Sequence, residues 1–483
     1  VLVEGNRIAA VGPRAELAAR FPQAEQVGDA NMLLLPAFVN AHDHGRAIGT
    51  AQFGVADDLL EIWLMGLGVQ PALDPYLAAA YDGLRLLQSG VTTVAHSHNP
   101  RSWETMAAEC EPTLRGYRDV GIRVAFHPPL VDQNLLVYAD HERFLAGLPP
   151  GLRDTAQAMM QPPPLSRDDY LALCADLYRQ HHDAEGHMVH IQISPAGGQW
   201  CSDELILASV EFARQHQTRV QMHMLETRYQ AMYAERRWGK SFIRHLDEIG
   251  TLGPTLTLAH MVWVGVDDLA LLAERGVGIA HNPSSNLRLR SGIAPLAEMA
   301  RNCLHLGIGL DGHGLDDDQD YLRELRLAWT LANRPGADEP MVYARDILHM
   351  GTRGGAEITL PGAPLGKLAE GWLADLQIVD CRLQIADWFC SSSEQAPIAS
   401  PQSLISALLR RASRRDVRHV MCNGRWVVRD GVSATLDEAA IVAGLRECIA
   451  GQDPAALRES ALRSQALAPY IRRFYAAWEE TRG

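Results

Sequence analysis

The stretch "LLLPAFVNAHDHGRAIG" (residues 33–49) runs apolar for seven residues and then places His42 and His44 one residue apart. Side chains alternate along a strand, so two histidines at that spacing point to the same side. A near-continuous hydrophobic strand is the mark of a parallel sheet covered by helices on both faces. Seven more such segments follow: "VTTVAHSH" (91–98), "IRVAFHPPL" (122–130), "MVHIQISPAG" (188–197), "RVQMHMLET" (219–227), "TLTLAHMVW" (255–263), "VGIAHNPSSN" (277–286) and "GIGLDGHG" (307–314). Between them lie stretches such as "DPYLAAAYDGLRLLQ" (74–88) and "SDELILASVEFARQH" (202–216), with apolar residues at helical spacing. Eight alternations predict an α/β chain whose parallel strands close into a (β/α)8 TIM-type barrel. An open doubly wound sheet would call for a glycine-rich phosphate turn after its first strand, and this sequence has none there.

The two ends read differently. "VLVEGNRIAAVG" (1–12), "ADLQIVD" (374–380) and "VRHVMCNGRWVVRDG" (417–431) are strand-and-turn patterns with Asn-Gly and Asp-Gly hairpin signals. They predict a small β-sandwich domain formed by both chain termini, residues 1–33 with 364–435. The barrel, 34–363, is inserted in it, and a charged helical segment occupies 436–483. Val1 falls in mid-strand, so the expectation is that further residues precede it.

The balance of 44 basic and 58 acidic residues gives a net charge of −14, which argues against a nucleic-acid partner. No apolar run reaches about 18 residues, so no membrane span is expected. Eight cysteines are scattered without a C-x-x-C pair, the pattern of a reduced cytoplasmic protein rather than of a disulfide framework or a cysteine zinc site.

Polar residues gather where the strands stop. His42 and His44 close the first, His223 the fifth, His260 the sixth and Asp311 the eighth. A barrel brings such positions together at the C-terminal mouth, where this fold carries its chemistry. Imidazoles with one carboxylate suit Zn²⁺ or Fe²⁺ and leave a position open for water. Glu226, three residues after His223, is placed to exchange protons.

The chain resembles the amidohydrolase superfamily, in its ATZ/TRZ-like and cytosine/guanine/adenosine-analogue deaminase branch. The resemblance rests on "PAFVNAHDH" (36–44), "SGVTTV" (89–94), "HMLET" (223–227), "GTLGPTLTLAHMVW" (250–263), "HNPSSNLRLRSGIAP" (281–295), "GIGLDG" (307–312) and "LGKLAEGWLADLQIVD" (365–380). It covers nearly the whole chain. It implies a barrel inserted in a β-sandwich, one divalent metal (zinc first, iron or cobalt as alternatives) and a homo-oligomer acting on a small molecule. By the motif match His42, His44, His223 and Asp311 are ligands, with Glu226, His260 and Asp311 handling protons. The two-metal branch bridges its ions with a carboxylated lysine at the end of strand four. Here that strand has no lysine, and the only two in the chain are Lys240 and Lys367, so one metal is expected.

A metal ion brings the pKa of bound water from 15.7 toward about 7, and attack of that hydroxide on an amino-bearing sp² carbon would release ammonia. The leading expectation is deamination of an N-heterocycle of purine, pterin, pyrimidine or triazine type. An amide, urea, carbamate or carbon–halogen bond is the alternative at the same site, and a non-catalytic relative used for assembly ranks last, because no ligand has been lost. The chain departs from the family at "LDGHGLDDDQD" (310–320), with Leu310 where the family has threonine, His313 after the aspartate and an acidic run that reads as a solvated loop. His98, His281 and His313 are the expected substrate contacts, while His96 and His127 stand open between a structural role and a contact.

Overall fold

The computed structural model describes residues 1–183, 186–312, 314, 317–381 and 401–480, with side chains left aside at 401–403; His313, Asp316 and Cys390 lie outside the described residues. Eight parallel strands form one sheet: β1 (Phe38–Asp43), β2 (Val91–Ser97), β3 (Arg123–His127), β4 (Val189–Ile191), β5 (Val220–Met224), β6 (Leu256–His260), β7 (Gly278–His281) and β8 (His305–Ile308). The order is β5-β6-β7-β8-β1-β2-β3-β4. Its outer strands meet through parallel bridges Ile193–Val220 and Gly197–His223, where Ile193 N–H donates to Arg219 O and Gln221 N–H returns to Ile193 O. The sheet thus closes on itself, through irregular pairing after the three-residue β4. Helices such as Pro75–Gln88 and Met106–Val120 cover it, each burying an apolar stripe that includes Leu84, Leu87, Leu114 and Tyr117.

The opening apolar run does not make one strand. Met32–Pro36 belongs to a different, antiparallel sheet, and the barrel strand starts at Phe38. Pro36 has no N–H to continue a ladder, and Phe38 N–H instead donates to Gly90 O beneath β2.

That second sheet has five strands, in the order 432–433, 425–429, 417–422, 376–380 and 32–36, every neighbour antiparallel. Both predicted hairpin turns are present: Asn423-Gly424 and Asp430-Gly431 all adopt positive φ, between 48° and 79°, as the tightest β-turns require. The two-stranded hairpin Leu2–Glu4/Arg7–Ala10 joins this unit through the Arg7–Leu373 bridge. Of the expected sandwich, the described residues show this sheet and this hairpin. Arg123, at the start of β3, fastens the unit to the barrel through a fully buried ion pair with Asp375 at 2.5 Å.

The tail forms helices Glu438–Ala450 and Pro454–Glu480, the latter burying Leu467, Ile471, Tyr475 and Trp478. No helix among the described residues is long and apolar enough to cross a membrane. The seven described cysteines are all free thiols.

Candidate active site

Asp43 sets the spacing of the first two histidines. Its carboxylate accepts the N–H groups of His44 and Gly45 at 2.7 and 2.9 Å, which turns the chain sharply as β1 ends. Three other strands stop in left-handed backbone: Leu225 (φ 49°) after β5, His260 (φ 78°) at the end of β6 and Asp311 (φ 59°) after β8. Each such residue costs of the order of 1–3 kcal/mol, a cost these strand ends meet where side chains converge on the barrel axis.

Each imidazole is held by its far nitrogen. Nδ1 faces Gln221 Oε1 at 2.7 Å for His42, Ser97 O at 2.9 Å for His44, Ala196 O for His223, and Asn286 Oδ1 at 2.9 Å for His260. Gln221 in turn donates its Nε2–H to Ala41 O at 3.0 Å, so that its oxygen must face His42. Nδ1 is therefore the N–H donor in every ring, and four Nε2 lone pairs point inward. Asp311 stands among them, its Oδ2 accepting from Ser285. Its Oδ1 lies 3.1 Å from the Nε2 atoms of both His42 and His44.

The ligand atoms of His42, His223, His260 and Asp311 all lie within 4.8 Å of one another. His44 Nε2 joins them, 3.1 Å from His223 Nε2. Despite these approaches, His42 Nε2, His260 Nε2 and Asp311 Oδ1 are buried with no hydrogen bond. Lone pairs cannot satisfy one another, and an unpaired buried polar atom costs about 1–3 kcal/mol. The arrangement fits a cation: two nitrogens at 2.0–2.1 Å from one tetrahedral ion sit about 3.3 Å apart. Burial also favours the neutral form of three of these rings, the state a ligand needs. It lowers His44 and His260 to about 4 and His223 well below the usual imidazole value. Lys240 pairs with Glu248 at the surface, so neither lysine approaches β4.

Glu226 follows β5 and is 1% exposed. Oε2 is 3.7 Å from His260 Nε2, and Oε1 accepts from Ser291 at 3.4 Å. Burial, then the charges of Asp311 and Glu61, push its carboxyl well above the usual range, so that it holds a proton.

A cavity of about 390 Å³ opens onto this centre and is lined by His44, His98, His223, Glu226, His260 and Asp311 among others. Trp63, Trp103 and Trp200 with several leucines make its remaining walls largely apolar. His98 thus reaches the cavity. His281 does not line it: 2% exposed, it ends β7 level with His260 on the neighbouring strand. His127 is a structural histidine, with Nδ1 on His96 O at 3.1 Å and Nε2 on Gln192 Oε1 at 2.7 Å. In the acidic loop Asp317 and Asp318 pair with Arg288 and Arg323. Sequence reasoning missed Gln221, although it lies on the same strand face as His223. It also missed Arg46 and Trp63, whose side chains enter the wall from loop and helix with no periodic signal.

Residues 33–427 match the Amidohydrolase family, and residues 1–24 match a bacterial Imidazolonepropionase-like composite domain. A 5-methylthioadenosine/S-adenosylhomocysteine deaminase of Syntrophobacter fumaroxidans is 30% identical over 437 residues, 89% of this chain and 88% of the relative. A 5'-deoxyadenosine deaminase of Methanopyrus kandleri is 29% identical over 427 residues, 86% of each. Among solved structures, an adenosine deaminase from Xanthomonas campestris with bound zinc superposes with a TM-score of 0.75 at 26% identity, covering 93% of this chain and 92% of its own.

Proposed function

The chain belongs to the amidohydrolase family, and from that premise we propose that it is a mononuclear zinc aminohydrolase that deaminates an amino-substituted N-heterocycle. The observation that carries the reading is the inward convergence of anchored imidazoles on Asp311 with the buried carboxyl of Glu226 beside them. The deaminase relatives and the zinc in the Xanthomonas structure support the same reaction and the same ion.

His42, His44, His223 and Asp311 would hold the zinc, with His260 on the open side. Zinc held there would supply water that is ionised at neutral pH and a positive charge beside the reacting carbon. Asp311 Oδ1, which has no hydrogen bond, accepts the water's proton. Glu226 gives its proton to the ring nitrogen next to the amino-bearing carbon, and a proton returned through the carboxylates leaves with the amine as ammonia. His260, fixed by its Nδ1–H on Asn286, aims its Nε2 lone pair at the oxygen being added, where it accepts that oxygen's hydrogen. The apolar walls exclude water from the ring and strengthen these interactions.

The division of the chain into a β module from both ends, a (β/α)8 barrel over 34–363 and a helical tail from 436 belongs to the same reading, as do a homo-oligomeric, cytoplasmic enzyme and a substrate contact from His98. The test is ammonia release by zinc-loaded protein over amino-purines, pterins, pyrimidines and triazines, with ureas and carbamates alongside. Ammonia from a heterocycle, abolished by a chelator, is the expected result. Turnover of a urea or carbamate with silence on every heterocycle would overturn it.

A further inference from the structure

A second cavity of about 390 Å³ adjoins the catalytic one, and the two share Arg46 and His98 in their common wall. Both side chains carry a buried nitrogen that hydrogen-bonds to nothing: Nε of Arg46 and Nε2 of His98.

Arg46 is held in place by its other end. Nη1 donates to the backbone oxygen of Asp311 at 3.0 Å, and the guanidinium lies over the Trp63 ring at 5.0 Å. The carboxyl groups of Asp311, Asp43 and Glu226 act on its charge from the side of the metal centre. None of them takes the Nε–H.

His98 is 7% exposed and is oriented by a buried chain. Its Nδ1 edge faces His96 Nε2 at 3.4 Å; His96 Nδ1 meets Tyr117 OH at 2.9 Å, and that hydroxyl lies 2.9 Å from Asp82, whose other oxygen accepts from Gln319. That chain turns Nε2 toward the shared wall. The nearest partner there is Glu109 Oε2 at 3.5 Å, a neighbour that suits an N–H on this nitrogen. Glu109 is itself occupied by Thr105 and by the Arg101 N–H.

Leaving an N–H of the Arg46 guanidinium without a partner is costly, and the cost is recovered when a ligand oxygen arrives. We propose that Arg46 and His98 form a substrate subsite for an oxygen acceptor, so that the substrate carries, besides the amino group it loses, a ring carbonyl or a carboxylate directed into the second cavity. This rests on the deaminase reading and narrows its substrate class. Leu67, Pro71, Leu73, Ala78 and Ala79 line one part of the second cavity and leave room for a hydrocarbon substituent, beside the polar Gln70, Asn99, Arg101 and Thr113.

The test is equilibrium binding to zinc-loaded protein, read by tryptophan fluorescence, with two pairs of ring compounds that have no amino group to lose. Uracil against uracil-6-carboxylate probes the carboxylate; hypoxanthine against xanthine probes the additional ring carbonyl. At least one oxygen-bearing member should bind about tenfold or more tightly than its partner, and the pair that differs identifies the source. In Arg46→Met and His98→Phe the preference should shrink to within about twofold, while Arg46→Lys keeps part of it. Zinc content and melting temperature check that each variant is folded; should Arg46→Met lose zinc, His98→Phe decides. Equal affinities within both pairs, absence of binding by all four included, or a preference that survives in the folded variants, would overturn the proposal. Ammonia release plays no part in this measurement, so failure of the deaminase reading is seen separately.

Discussion

Replacing Glu226 by glutamine isolates its proton from its shape. The side chain is 1% exposed, and its neutral form is favoured by burial and by the charges of Asp311 and Glu61. Glutamine has the same length and no charge, so folding loses little. The acceptor at Oε1 survives for Ser291, and the backbone bond from Glu226 N–H to Gln230 is untouched. What disappears is the carboxyl proton beside His260 in the cavity wall. Positioned proton transfer contributes about 10²–10⁴-fold, which at 1.36 kcal/mol per decade is roughly 3–5 kcal/mol of transition-state stabilisation. We therefore expect Glu226→Gln to bind one zinc, to melt within about 2 °C of the parent (a stability change below about 1 kcal/mol), and to lose at least a hundredfold in kcat with KM little changed. The assay is steady-state ammonia release, with zinc measured on the same samples. A fully metallated variant that retains turnover within about threefold would refute the assignment of Glu226 as the acid, and with it the reasoning from burial to role.

Gln221→Leu removes the oxygen that fixes the His42 tautomer, and zinc affinity should fall about 10–100-fold in chelator competition; unchanged affinity would mean that His42 needs no such anchor. Arg123→Met leaves Asp375 buried without its cation, and should cost about 3–5 kcal/mol in urea unfolding; a loss below about 1 kcal/mol would contradict this. Glu324, buried against Ser284, is raised by burial to about 7 from its ordinary 4.5. The native state then holds an extra proton between those values, so stability falls as pH rises from about 4.5 to 7, by roughly 3 kcal/mol in all. Glu324→Gln should flatten that slope in melting curves; parallel curves for parent and variant would sink the idea.

Residue type and a two-residue period were enough to place His42, His44, His223, His260 and Asp311 at strand ends, because alternation along a strand fixes which side a residue faces and the end of an apolar run fixes where the barrel opens. The Asn-Gly and Asp-Gly turns were equally readable, since positive φ at both central residues admits few sequences. His98, His127 and His281 carry the same local signal as the ligands, a histidine closing an apolar strand, yet one lines the cavity, one is saturated by His96 and Gln192, and one is buried away from the cavity. Their fates depend on which groups neighbouring strands and loops place beside each ring, which is invisible within any one strand. Pro36 likewise divided a single apolar run between two sheets only because Gly90 O stood ready to accept from Phe38. The sequence by itself determined which residues could do chemistry and at which end of the fold. Tertiary structure alone decided which nitrogen each histidine offers, since that choice belongs to Gln221, Ala196, Ser97 and Asn286, partners supplied across the barrel by other strands and loops.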